Sequence, residues 1–382
     1  MHMIQETSSV RSPSPYQPVR WLGGASNGGL MLPEAQPKPH TLYAPRGVYV
    51  DVERELIVVA DSGNHRILIW HRWPEYDHAP ADIVLGQAGF YDEGPKLLHL
   101  PTAVSVIQDM LVVADAWHHR LLVWDTVPIV NNALPDYVIG QNDLNEHLPN
   151  RGTSPGPAGF YWPYGFCADE HFFYVADTGN RRVLVYKGLP LSDEKPDFVL
   201  GQKDFQTTLE NRGEGVGPRS FRWPHAITCD DTYVWIADAG NHRILGFKKP
   251  LSMDQEATLC IGQDTFYENY ELPHVPQGPA RLRFPYGVIR TTDELVVADT
   301  ANNRILVFEE KAWLDRSESS LNNMQLSASF VLGQDDFSAS GENRWGRVDH
   351  DSFCWPYGIW ADQDWLAVAD SGNNRVTLWQ RM

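Results

Sequence analysis

Six copies of one short phrase constrain this chain more than any bulk property does. Each copy is an apolar run ending in Ala-Asp, a tight turn, and an arginine that opens a second apolar run. The copies occupy residues 60–66, 114–120, 176–182, 237–243, 298–304 and 369–375. In every copy the Asp precedes the Arg by five positions, and successive Asp residues lie 54, 62, 61, 61 and 71 apart. A period of this length across most of 382 residues specifies a repeat architecture. Units that each bury a face on a neighbour form one body, not two or three independent domains.

The third copy shows what one unit contains. Apolar and aromatic runs follow Pro163-Tyr164-Gly165, cover 172–176, restart at Arg182 and end in Phe198-Val199-Leu200-Gly201-Gln202. Four short runs bounded by turn chemistry read as a four-stranded antiparallel meander. Runs such as Leu56-Ile57-Val58-Val59-Ala60 are apolar at consecutive positions, which fits strands covered on both faces. Six such meanders predict an all-β, six-bladed β-propeller. The outer-strand ending Gly-Gln occurs only five times, at Gly86, Gly140, Gly201, Gly262 and Gly333, because the sixth repeat stops after its third strand. Residues 19–24 (Val-Arg-Trp-Leu-Gly-Gly) are expected to supply the missing strand and close the ring. The propeller then spans 19–382, with 1–18 as a disordered or extended tail.

Loop lengths show where the copies diverge. Four connections from a Gly-Gln glutamine to the next repeat's proline are 22 residues, and the one after Gln87 is 14. Between third and fourth strands the blade after Arg304 carries about ten extra residues within 311–329, expected as a flexible excursion on the opposite face.

These residues resemble the NHL-repeat family, whose signature couples a proline-x-glycine start to V-A-D-x-G-N-x-R. Asp61-Ser62-Gly63-Asn64-His65-Arg66 and Asp238-Ala239-Gly240-Asn241-His242-Arg243 match it closely, and the resemblance covers 45–382. It implies the propeller fold, while function stays open because the family includes enzymes, ligand sensors, RNA binders and scaffolds. Some bacterial members accompany redox enzymes such as nickel-iron hydrogenases as accessory components. The family's amidating lyase implies a channel zinc held by three histidines, assisted by an Arg and a Tyr.

Composition narrows the classes. With 31 basic and 49 acidic side chains the net charge is −18, a field that repels phosphate backbones and argues against nucleic acid as a partner. No apolar stretch is long enough to span a bilayer, so no membrane partner is expected. The N-terminal residues lack the basic start and apolar core of a signal peptide, and a cytoplasmic location is expected. Cys167, Cys229, Cys260 and Cys354 show no C-x-x-C and no close pairing, and read as buried free thiols.

Residues identical in every copy read as scaffold: Asp caps a turn, Asn and Gly tolerate positive φ, and Arg pairs with Asp. His65, His119 and His242 likewise read as turn residues. The residue after each repeat's proline differs: Arg46, Thr102, Tyr164, His225, Tyr286 and Tyr357. At the start of the innermost strands these would ring one mouth of the channel, where Arg could anchor a small polar or anionic ligand. The alternative is that the tyrosines pack on adjacent blades and their hydroxyls bond backbone. One histidine among the six departs from the lyase's zinc set. No nucleophile elbow, H-E-x-x-H or phosphate loop is present, so no catalytic residue, metal site or cofactor is expected. The long loops offer Arg151, Arg212, Arg344 and Trp345 as partner-facing residues, with Phe160, Phe221, Leu282 and Phe353 as buried anchors. The expected function is a non-catalytic interaction scaffold or accessory subunit, with a protein partner at the loop-crowned face. The alternative is a small-molecule binder or lyase or hydrolase using the channel mouth.

Overall fold

A computed structural model describes residues 14–24, 36–191, 194–314 and 326–382. Six four-stranded antiparallel sheets form, each a meander from the axis outward. Blade 3 is representative, with strands Pro163–Ala168, Phe172–Asp177, Arg182–Lys187 and Phe198–Leu200. Innermost strands contact one another in sequence around the ring, which makes the six sheets a closed propeller.

The ring closes as expected, by a strand drawn from the N-terminal side. Tyr16–Gly23 pairs antiparallel with Arg375–Arg381 and becomes the outer strand of blade 6. It begins three residues before Val19, and Tyr16 is fastened by its hydroxyl, which donates to Glu294 of blade 5 at 3.1 Å. Residues 1–13 of the expected tail lie outside the described residues.

Consecutive apolar residues are explained by where they go. Side chains alternate across a strand, so Val58 enters the core between blades 1 and 2 while Ile57 and Val59 enter the core between blades 6 and 1. Six apolar clusters result, one at each blade boundary. Outer edges are covered by neighbours: the Asn132 N–H donates to the Val84 carbonyl, and the Asn131 side chain accepts from the Val84 N–H. A paired edge is no longer a template for aggregation.

The segment after the third strand of blade 5 is not wholly an excursion. Lys311–Leu314 forms a short helix, and Trp313 is buried against Trp235 at 5.3 Å and beneath Arg290. An indole placed there removes a large apolar area from water, which fixes this end of the segment. Residues 315–325 lie outside the described residues.

Candidate functional site

The constant Asp and Arg of the repeat are buried scaffold, and the geometry shows what they hold. In each of the six turns the Arg Nε donates to the Asp Oδ2 at 2.7–3.0 Å, with the Asp fully buried and the Arg at most 2% exposed. The remaining guanidinium donors reach loop carbonyls. Arg243 donates to Phe266 in the loop leaving its blade and to Gly217 and Ser220 in the loop entering it. The Asp Oδ1 accepts the N–H two residues before the repeat's proline, as from Tyr161 to Asp177 at 2.6 Å. The Gly-Gln glutamine anchors the same loops, Gln202 donating to Leu209 and Gln334 to Gly341. One charge pair per blade therefore fixes two long connections, and the face they build is rigid at its base.

Two further staples cross between blades. The residue before each Arg sits in the left-handed region, as His119 does at φ 56°. His65, His119 and His242 each use Nδ1 to accept the N–H just before the next blade's proline, at 3.1–3.2 Å. Asn303 and Asn374 do the same with their side-chain oxygens. Burial, with the nearby His118, lowers the His119 pKa to about 4, which keeps the accepting nitrogen free of a proton. A hydroxyl after the turn Asp adds the second staple: Ser62, Thr178, Thr300 and Ser371 donate to the carbonyl of the next blade's proline. Sequence reading gave these hydroxyls no role, although Ser or Thr at that position in four of six copies was visible.

The residues after the prolines converge at the axis as a belt of touching side chains. The Tyr286 and Tyr357 rings stack at 4.7 Å, His225 lies 4.5 Å from Tyr286 and 4.4 Å from Tyr164. Arg46 closes the circuit, donating to the Tyr164 hydroxyl at 2.9 Å with its guanidinium 4.9 Å over Tyr357. Thr102 is small, buried and turned to the Tyr164 carbonyl, which lets Arg46 reach past blade 2. In four of the six blades a glycine after the belt residue makes this closeness possible, with Ala103 and Ala226 standing there in the other two. A Cβ on Gly165 would overlap the His225 carbonyl oxygen, and one on Gly358 would overlap that of Arg46. Proline-x-glycine thus places x at the axis and leaves room for the neighbouring blade's x carbonyl.

Charge at the belt is simple. Burial lowers the His225 pKa to about 4, and its Nδ1 lies 2.9 Å from the Trp223 carbonyl, so the ring is neutral with Nδ1–H donating. Burial also raises Tyr286 and Tyr357, which stay protonated. Arg46 has no carboxylate within ion-pair distance among the described residues. The innermost strands enclose a cavity of about 490 Å³. With one histidine, neutral and committed through Nδ1, the belt does not fit the three-histidine zinc set.

The partner-facing candidates separate into projecting and engaged residues. Trp345 stands 84% exposed on the loop before blade 6. Arg212, by contrast, is 7% exposed at its side chain and is held by Asp254 and Glu214, so it joins loops instead of projecting. Arg344 is paired with Asp351 at 2.7 Å, and Arg151 reaches Asn142 at 3.3 Å. Phe160, Phe221, Leu282 and Phe353 are buried, while Trp355 is exposed beside Glu342. Trp117 is also exposed and meets Trp162, 5.4 Å away, at the same end of the propeller.

The profile of the NHL repeat matches residues 42–70, where the Pro45 start and the first Asp61–Arg66 turn lie. NHL repeat-containing protein 2 of Gallus gallus is 26% identical over 311 residues, covering 74% of this chain and 39% of that protein. The chain is an NHL-repeat β-propeller. The Homo sapiens NHL repeat-containing protein 2 is 32% identical over 162 residues, 39% of this chain and 20% of the relative. This NHL propeller therefore spans well under half the length of the relatives it matches. Among solved structures, a catalytically inactive virginiamycin B lyase from Staphylococcus aureus with quinupristin covers 96% of this chain and 99% of its own, at 11% identity and a TM-score of 0.47. Among the described residues no helix is long and apolar enough to cross a membrane, and no three His, Cys, Asp or Glu side chains group as a metal site.

Proposed function

We propose that this chain is a docking scaffold whose loop-crowned face binds a protein partner. The observation that carries the reading is the distribution of exposed aromatic residues. Every exposed tryptophan among the described residues, Trp117, Trp345 and Trp355, lies on the turns and loops of that face, and the exposed Tyr267 and Tyr270 lie on another loop of the same face. The opposite connections expose Ile129, Val130, Leu134 and Met253 with Tyr76 as their aromatic, while the loop face also exposes Leu148 and Leu209. Tryptophan and tyrosine dominate binding hot spots, whereas leucine and valine are under-represented there. The buried Arg and Gln anchors hold the loops in place beforehand, which lowers the ordering cost of association. A charge of −18 favours a partner with a basic or neutral surface over nucleic acid. A redox enzyme such as a hydrogenase is one partner class consistent with the family resemblance.

The test is mild cross-linking in the native host, followed by purification of wild type and of Trp345→Ala and Trp117→Ala variants of matched folding. The scaffold reading expects a stoichiometric partner with wild type and its loss with the variants. Equal recovery, or no partner at all, would overturn it.

A second reading rests on Arg46 alone. A guanidinium with no carboxylate in ion-pair distance among the described residues, facing three phenols beside a 490 Å³ cavity, suits a small anionic ligand. Titration with small carboxylates followed by calorimetry tests it. Binding abolished by Arg46→Gln supports it, and no heat at any concentration sinks it.

A further inference from the structure

Two thiols that the sequence separates by one repeat meet inside the ring. Cys167 stands four residues after its blade's proline and Cys229 five after its own. Side chains alternate along a strand, so this offset of one turns Cys167 toward blade 4 and Cys229 back toward blade 3. Their sulfurs are 3.8 Å apart, and both border the apolar cluster between these blades. Both also reach the wall of the central cavity, which gives small solutes a route to them. All four cysteines are free thiols as expected, although only Cys260 is buried and the other three are partly exposed, and Cys167 and Cys229 lie in contact.

The juxtaposition is built. Lys249 Nζ donates to the Asp169 carboxylate at 2.6 Å and to the Asp230 carbonyl at 2.7 Å. Asp169 lies two residues after Cys167 and Asp230 directly follows Cys229, so one ammonium clamps the two strand ends together. The Tyr174 hydroxyl, on the residue paired with Cys167, donates to the same Asp169 oxygen at 2.8 Å.

We propose that Cys167 and Cys229 are a modification site, a dithiol that hydrogen peroxide converts to a disulfide joining blades 3 and 4. One sulfur, as thiolate, attacks a peroxide oxygen. An S–O bond forms, the O–O bond breaks, and the departing hydroxide takes a proton to become water. The second thiolate then attacks that sulfur, so the S–S bond forms and the S–O bond breaks with loss of a second hydroxide. Both thiol protons end in water, and the two sulfurs together give two electrons to the peroxide. Burial holds the Cys167 thiol well above its usual range, so thiolate is scarce at neutral pH and closure is slow. The site answers sustained oxidant, and its rate rises with pH. Cys260 and Cys354 are also raised by burial, to about 11 and about 12, and serve as internal controls.

The test exposes the full folded chain to hydrogen peroxide, blocks remaining thiols under denaturing conditions and maps the peptides. The expected result is loss of two of four reactive thiols and one peptide linking Cys167 to Cys229, reversed by dithiothreitol and formed faster at alkaline pH. Cys229→Ser and Cys229→Ala each remove the link and leave Cys260 and Cys354 unchanged. Retention of all four thiols after prolonged exposure overturns the proposal. So does linkage spread over other pairs or between chains.

Discussion

The Arg182 Nε lies 2.7 Å from the Asp177 Oδ2, and neither side chain reaches solvent. The same guanidinium donates to the carbonyls of Phe205, Gly156 and Gly159, tying two loops to one turn. Removing either partner leaves an uncompensated buried charge, which typically costs about 3–5 kcal/mol. Arg182→Ala is expected to lower the denaturation midpoint by that order, and Asp177→Asn by less because the amide keeps some of the bonds. Urea unfolding followed by circular dichroism measures both, and a midpoint unchanged in Arg182→Ala would show that the pair is dispensable.

The glycine of each proline-x-glycine start predicts a sharp positional contrast. Gly358→Ala must displace the Arg46 carbonyl of the neighbouring blade, an overpacking that costs about 1–3 kcal/mol or more. Gly278→Ala faces open space and is expected to be neutral within about 0.5 kcal/mol. Thermal melts of the two variants side by side check the contrast, and equal melting points would remove the proposed role of the glycine.

Acid should loosen the ring between pH 6.5 and about 4. His119 and His225 have folded pKa values lowered to about 4, below their unfolded value of 6.5. The unfolded chain therefore binds protons first, and the stability these residues contribute is present above pH 6.5 and lost as pH falls toward 4. Each is worth at most about 3 kcal/mol by the linkage relation. Asn already does the work of His119 in blades 5 and 6, so His119→Asn should keep the Trp162 contact and flatten the pH dependence. Melting temperatures across that window decide it, and an unchanged slope in the variant counts against the Nδ1 staple.

Closure by the strand Tyr16–Gly23 predicts that this short segment carries the cooperativity of the whole ring. Without it blade 6 exposes the edge of Arg375–Arg381 and the Trp379 side of its core. Removal of residues through Gly24 is expected to broaden unfolding and promote association, read by melting curves and gel filtration. A truncated chain that stays monomeric with an unchanged melt would place closure elsewhere.

Much of this fold was legible because period and alternation are local signals. The five Gly-Gln endings against six turns located the closing strand to within three residues of its start. The scaffold role of Asp and Arg followed from their presence in every copy, yet the loops they hold could not be read from spacing. Glu294 accepting from both Tyr16 and Arg381 joins residues far apart in sequence, and no periodicity announces it. The Cys167–Cys229 contact was within reach: an offset of one between adjacent blades turns two side chains toward each other. The pairing of Arg212 with Asp254 was not legible, because a loop arginine says nothing of whether a neighbouring blade offers a carboxylate.

The central claim is that the tryptophan-bearing loop face binds the partner. It is tested most directly by measuring partner affinity for wild type, Trp345→Ala and Ile129→Ala, the last on the opposite face. The account predicts that Trp345→Ala weakens binding by about 2 kcal/mol or more, roughly thirtyfold, while Ile129→Ala binds as wild type does. Full affinity in Trp345→Ala with loss in Ile129→Ala would contradict it.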